Sequence, residues 1–148
     1  MKAFLDTNIF LNPLLAESEC HDCLRVLNGH NQFEAVTSYL SMANIAYVLR
    51  KRAGKEKVAP TVRNLLSYIS SITNSTGAEY EYACLMRGPD FEDILQYVNA
   101  ALNSCNLLIT CNKHDFLRIA DPDSILPSPG PRIITPSEFL AELRITIK

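Results

Sequence analysis

The sequence predicts an α/β fold built on a mostly parallel sheet. Short apolar runs of strand length alternate with longer segments whose apolar residues recur at helical spacing. Two of the strand-like runs also end alike, in polar side chains of ligand type. Lys2-Ala3-Phe4-Leu5 runs into Asp6-Thr7-Asn8, and residues 107–110 run into Cys111 and Asn112. Open α/β sheets place their ligands outside the carboxyl ends of the strands, so these two ends are expected to share an edge.

The elements follow in order. Residues 2–5 form the first strand. Residues 17–28 form a helix with Cys20, Cys23, Leu24 and Leu27 on one face. Residues 33–38 read as a second strand, and residues 39–50 as a helix capped by Ser38 and broken by Gly54. Val58, Val62, Leu65, Leu66, Ile69 and Ile72 mark an amphipathic helix that ends in the polar run 74–77. Residues 79–86 fit strand or helix, and Gly88-Pro89 is a break. Phe91, Ile94, Leu95, Val98 and Leu102 then define one face of a helix. Residues 107–110 and 132–135 are buried strands. The segment between them, with Pro122, Pro127, Pro129, Gly130 and Pro131, reads as a loop. Pro136 opens a last helix at the first-turn position proline tolerates.

At 148 residues, of which 47% are hydrophobic, one domain spanning 1–148 is expected. No stretch approaches the roughly 18 consecutive apolar residues of a membrane span. No secretory h-region precedes Asp6, so a cytoplasmic protein without membrane association is expected. Five cysteines scattered through apolar segments suit reduced, mostly buried thiols. The net charge of −2 argues against extended duplex-DNA binding. Positive charge is concentrated locally at Arg50, Lys51, Arg52, Lys55, Lys57 and Arg63, which form either a solvated helix junction or a phosphate-contacting patch.

Three acidic segments could carry chemistry. Asp6 leaves the first strand, Asp93 sits in the first turn of its helix, and Asp115 follows Asn112. Each has a plain structural alternative: Asp6 as a helix cap, Asp93 as an acid favoured by the helix dipole, Asp115 as a surface acid. Together they offer the oxygen ligands that Mg²⁺ and Mn²⁺ prefer. Two carboxylates plus waters can hold such an ion, which polarises a phosphodiester and acidifies bound water. Other chemistries lack their patterns. Cys20-His21-Asp22-Cys23 is a single C-x-x-C without the second pair a zinc site needs. His21, His30 and His114 show no metal spacing, and no phosphate-binding glycine loop occurs.

The blocks FLDTNIFL, DFEDILQYVNAAL, LLITCNKHDF and IITPSEFL, in this order, resemble the PIN domain family. The resemblance implies a three-layer α/β/α fold and a Mg²⁺- or Mn²⁺-dependent ribonuclease cutting single-stranded RNA. Many small members are VapC-type toxins held by a cognate antitoxin, and by the same analogy a homodimer through residues 39–72 is expected. Asp6 and Asp93 match the first and third acids of the family site. Asn112 stands where many members carry the fourth, with Asp115 the nearby carboxylate that can substitute. The second acid, commonly a Glu, is matched by Asn44, and residues 35–55 contain no Asp or Glu. The resemblance thus implies Asp6, Asp93 and Asp115 as metal ligands, with Asn44 and Asn112 ligating weakly or positioning water. The alternative is a non-catalytic PIN-like module that binds RNA or protein through a degenerate site. If Asn44 faces the pocket, Leu40, Asn44 and Tyr47 form the helical stripe that turns toward it.

Overall fold

The computed structural model describes residues 1–12, 18–120 and 122–146. Five strands, β1 (Lys2–Leu5), β2 (Glu34–Ser38), β3 (Ser71–Thr73), β4 (Leu107–Ile109) and β5 (Arg132–Ile134), form a sheet in the order β3-β2-β1-β4-β5. Every pairing is parallel, with Phe4 opposite Val36 on one side and Leu108 on the other. The described helices are α1 (Thr7–Leu11), α2 (Ser18–Gly29), α3 (Tyr39–Ala53), α4 (Lys55–Leu66), α5 (Gly77–Leu85), α6 (Phe91–Leu102), α7 (Lys113–Phe116), α8 (Pro122–Ile125) and α9 (Pro136–Thr146).

Successive side chains of a strand point to opposite faces, and the core divides accordingly. Ala3 and Leu5 pack with Phe10, Leu24, Ile45, Leu65 and Phe139, from α1, α2, α3, α4 and α9. Phe4 and Val36 pack with Ala83, Ile94, Val98 and Phe116, from α5, α6 and α7. The result is the expected three-layer α/β/α arrangement. The sheet starts at β1, grows to β2 and β3 on one side, then returns to β4 and β5 on the other. The reversal leaves a crevice beyond the ends of β1 and β4, the place where such sheets bind ligands.

Several local expectations are corrected. The apolar spacing from Val58 to Ile72 does not form one helix. α4 stops at Leu66, and the Ser70 N–H donates to the Ala35 carbonyl at 2.7 Å. The chain then joins the sheet edge as β3, with Ile72 opposite Thr37 and 39% exposed. Backbone pairing at an open sheet edge prevails here over helical periodicity. The ambiguous segment 79–86 is helical as far as Leu85, because Thr76 and Glu79 form a reciprocal capping box that starts α5. Pro122 opens the four-residue α8 rather than continuing a loop. Phe91, at the first position of α6, is 47% exposed and lies outside the buried face that Ile94 and Val98 form. Gly54 ends α3 with φ of 87°, a conformation open to glycine without steric cost. Glu17, the expected start of α2, lies outside the described residues. Among the described residues no helix is long and apolar enough to cross a membrane.

Candidate functional site at the sheet switch point

Asp6 follows β1 directly. It occupies the N-cap position of α1, with φ −66° and ψ 155°, but its side chain makes no cap hydrogen bond. Its Oδ2 instead accepts from the Thr110 hydroxyl at 2.7 Å, across the switch point. The same Thr110 oxygen accepts from Asn8 Nδ2 at 3.2 Å and from the Asn112 N–H at 2.9 Å. With both lone pairs engaged by N–H donors, the hydroxyl proton is committed to Asp6. Thr110 is fully buried and therefore fixes the carboxylate's orientation.

Asp93 comes from the opposite helical layer, at the third residue of α6. Asp90 caps this helix through a 2.7 Å bond from the Glu92 N–H. Asp6, Asp90, Glu92, Asp93, Gln96, Asn112 and Asp115 line one open pocket of about 250 Å³, with Thr7, Asn8 and Leu11. Burial pushes Asp6 from 3.8 up to about 6; the Glu92 charge adds to this, while bonds from Thr110, the Thr7 backbone and Gln96 oppose it. Asp93 is pushed up to about 7, first by burial and then by the charges of Asp6, Asp90, Asp115 and Glu92. Desolvation is thus the leading cause at both acids; the charge of Asp6 comes second at Asp93, whereas at Asp6 the one charge that adds to burial is that of Glu92.

Asp115 behaves oppositely. Asn112 Nδ2 donates to its Oδ2 at 2.6 Å, and His114 Nδ1 lies 3.3 Å from Oδ1. These contacts, the Asn112 bond foremost, hold its carboxyl below the usual range. Asn112 is therefore engaged in orienting a carboxylate. Asn44 has the same kind of partner: its Nδ2 donates to Glu92 Oε1 at 2.6 Å. The expected stripe is only partly realised, because Tyr47 is 60% exposed and its ring lies under the Lys51 ammonium at 5.0 Å. The buried face of α3 is Ser41, Met42, Ile45 and Leu49.

Sequence reasoning missed three participants. Glu92 brings a carboxylate to the spot that Asn44 addresses. Gln96, almost fully buried, donates through Nε2 to Thr7 Oγ1 at 3.1 Å and to Glu92 at 3.3 Å, and accepts from Ser41 Oγ at 2.9 Å. Thr110 is the third. A signal existed for two of them: Glu92 and Gln96 stand at i and i+4 on α6, beside Asp93.

Among the described residues, no three Asp, Glu, His or Cys side chains gather into a ready-made metal cage. The donor set still suits a hard cation. Mg²⁺ is commonly held by one or two carboxylates while keeping several waters, and Asp6 and Asp93 supply two carboxylates to an open, polar pocket.

The sequence profile of the PIN domain matches residues 2–114. The chain therefore belongs to the PIN domain family. Similar solved structures include VapBC2 from Rickettsia felis bound to a promoter DNA fragment, at TM-score 0.70 and 19% identity, covering 91% of this chain and 98% of that one. A toxin–antitoxin complex from Klebsiella pneumoniae aligns at TM-score 0.61 and 21% identity, covering 90% and 97%. VapC20 of Mycobacterium tuberculosis, described as a sarcin–ricin loop cleaving toxin, aligns at TM-score 0.55 and 14% identity, covering 72% and 86%. At these identities the likeness establishes the fold. A comparison with curated protein sequences returned no match.

Proposed function

We propose that this protein is a divalent-metal-dependent endoribonuclease acting on single-stranded RNA, the toxin of a toxin–antitoxin pair. The observation that carries this reading is the meeting of Asp6 and Asp93 at the β1/β4 switch point, both held well above the usual carboxylate range. Placing the buried Asp6 and the half-buried Asp93 in one pocket is costly in isolation, and carboxyls raised by desolvation and a charged neighbour in a cleft are candidates for a functional site. Family membership and the toxin–antitoxin complexes among its structural neighbours agree with it.

Asp6 and Asp93 would hold Mg²⁺ or Mn²⁺, with Asp115 completing the charge on the far side of the pocket. When bound, the cation would polarise the scissile phosphodiester and lower the pKa of a bound water. Thr110 fixes the Asp6 carboxylate, and Asn112 keeps Asp115 ionised and aimed. Asn44 and Gln96 hold Glu92 beside the pair, so the site regains the negative charge that Asn44 does not carry. The two asparagines are thus positioning residues. RNA phosphates would follow a neighbouring groove lined by Arg52 and Lys57 with Val48, Leu49, Ala53 and Thr61, which meets the acidic pocket at Leu11.

The test is cleavage of a mixed-sequence single-stranded RNA with Mn²⁺ or Mg²⁺. Cleavage should be abolished by chelator and by Asp93→Asn. The amide at Asn44, in place of a carboxylate, favours one other reading, a non-catalytic RNA- or protein-binding module. Retained RNA binding with no metal-dependent cleavage would establish that reading instead.

A further inference from the structure

Three of the five cysteines meet behind the candidate site. Cys20 and Cys23 face inward from α2, while Cys111 is exposed in the turn after β4. The Sγ atoms of Cys20 and Cys111 are 3.2 Å apart, although the residues are 91 positions apart in sequence. Two sulfur atoms at this distance need to approach by only roughly 1 Å to reach bonding length. Cys111 also occupies a sensitive position. It stands between Thr110, which orients Asp6, and Asn112, which orients Asp115. Its own N–H donates to Asn8 Oδ1 at 3.0 Å, tying the turn to the start of α1.

We propose that Cys20 and Cys111 are a redox modification site, a reversible disulfide that joins α2 to the turn carrying Asn112 and Asp115. A peroxide reaches Cys111 first, because that thiol is exposed and Cys20 is buried. The peroxide O–O bond breaks, Cys111 becomes a sulfenic acid, and one water leaves. The Cys20 sulfur then attacks the Cys111 sulfur, the S–O bond breaks, and the second water carries away the remaining thiol proton. Two thiols are oxidised and one peroxide is reduced to two waters. A thiol reductant reverses the bond by exchange. Cys20 and Cys23 are both buried, and Cys20 is the partner because its sulfur already lies 3.2 Å from that of Cys111. Closing the bond draws Cys111 toward α2 and pulls on the Thr110 and Asn112 contacts. Oxidation should therefore weaken divalent-ion binding, a consequence that rests on the metal-site reading above.

The experiment treats the full chain, and a Cys84→Ser variant lacking the other exposed thiol, with hydrogen peroxide. Remaining thiols are alkylated and the protein is mapped by mass spectrometry without reductant. The expected result is one intramolecular Cys20–Cys111 link, reversed by dithiothreitol and lost in Cys111→Ser. Recovery of Cys20 as the alkylated thiol, over-oxidation of Cys111 without a link, or a Cys23–Cys111 link would overturn the proposal; the wild-type map decides even if a variant folds poorly. Calorimetry with Mn²⁺ alone then compares reduced and oxidised protein, with binding expected to be about tenfold weaker after oxidation, as when a group orienting a ligand is lost. Equal affinities would remove the coupling to the site. Failure of the reduced protein to bind Mn²⁺ would count against the ribonuclease reading and leave the peptide map standing.

Discussion

The Asn44 amide donates to Glu92 at 2.6 Å, a contact that sets what a substitution there does. Asn44→Glu replaces this donor with a second carboxylate facing the first. Without metal it should cost about 1–3 kcal/mol, from a lost charge-assisted bond and new repulsion. With Mn²⁺ the added charge should tighten binding and raise cleavage; calorimetry and RNA cleavage beside wild type check both. No gain in either would show that charge at this position is not limiting. Asp6 and Asp93 set the pH response. Both are raised in the folded protein, so between the unfolded value near 3.8 and about 6 and 7 the folded state binds more protons than the unfolded chain. Stability from these groups is fully present at low pH and lost as pH rises through those values. For the buried Asp6, a rise from 3.8 to about 6 is worth on the order of 3 kcal/mol. Urea unfolding without metal should thus give lower stability near pH 8 than near pH 5 from these acids, and Asp6→Asn should flatten the profile. A profile unchanged by Asp6→Asn would contradict the raised value.

Among the elements, β1 and β4 were legible because each is a short buried run that turns polar at its exit, and the structure pairs them directly. β3 was not legible. Ser71-Ile72-Thr73 is too short to show alternation, and Ile72 fell in step with the helical spacing before it. The site divides in the same way. Asp6, Asp93, Asn112 and Asp115 stand out as polar residues at element ends. Thr110 becomes visible only once packing buries it with its hydroxyl on Asp6. The Pro-rich connection into β5 holds a further constraint of this kind. A Cβ added to Gly130 would lie 1.8 Å from the Tyr97 hydroxyl oxygen and 2.4 Å from its ring. Tyr97 is buried on α6, one turn beyond Asp93, and has little room to yield. Gly130→Ala should cost about 1–3 kcal/mol by overpacking, measured by chemical denaturation. A neutral result would mean that this connection shifts freely.

Across the whole molecule, charge and apolar surface are unevenly placed. Acids gather beyond β1 and β4, and exposed cations at the α3–α4 junction, with a net charge of only −2. Tyr39, Tyr47, Leu66 and Ile72 are exposed along residues 39–72, the region expected to form a homodimer. Sedimentation at micromolar concentration should report a dimer that Tyr47→Asp and Leu66→Asp weaken. A monomer in wild type would remove that expectation. The central claim is that Asp6 and Asp93 are paired to take a divalent cation. Its most direct test is calorimetric titration of the reduced protein with Mn²⁺, near pH 5.5 and near pH 8, beside Asp6→Asn. Metal and protons compete for these carboxylates, so wild type should bind one Mn²⁺ more tightly at the higher pH, and Asp6→Asn should bind weakly or not at all. Binding by Asp6→Asn as tight as wild type, or no binding by wild type at either pH, would contradict the account.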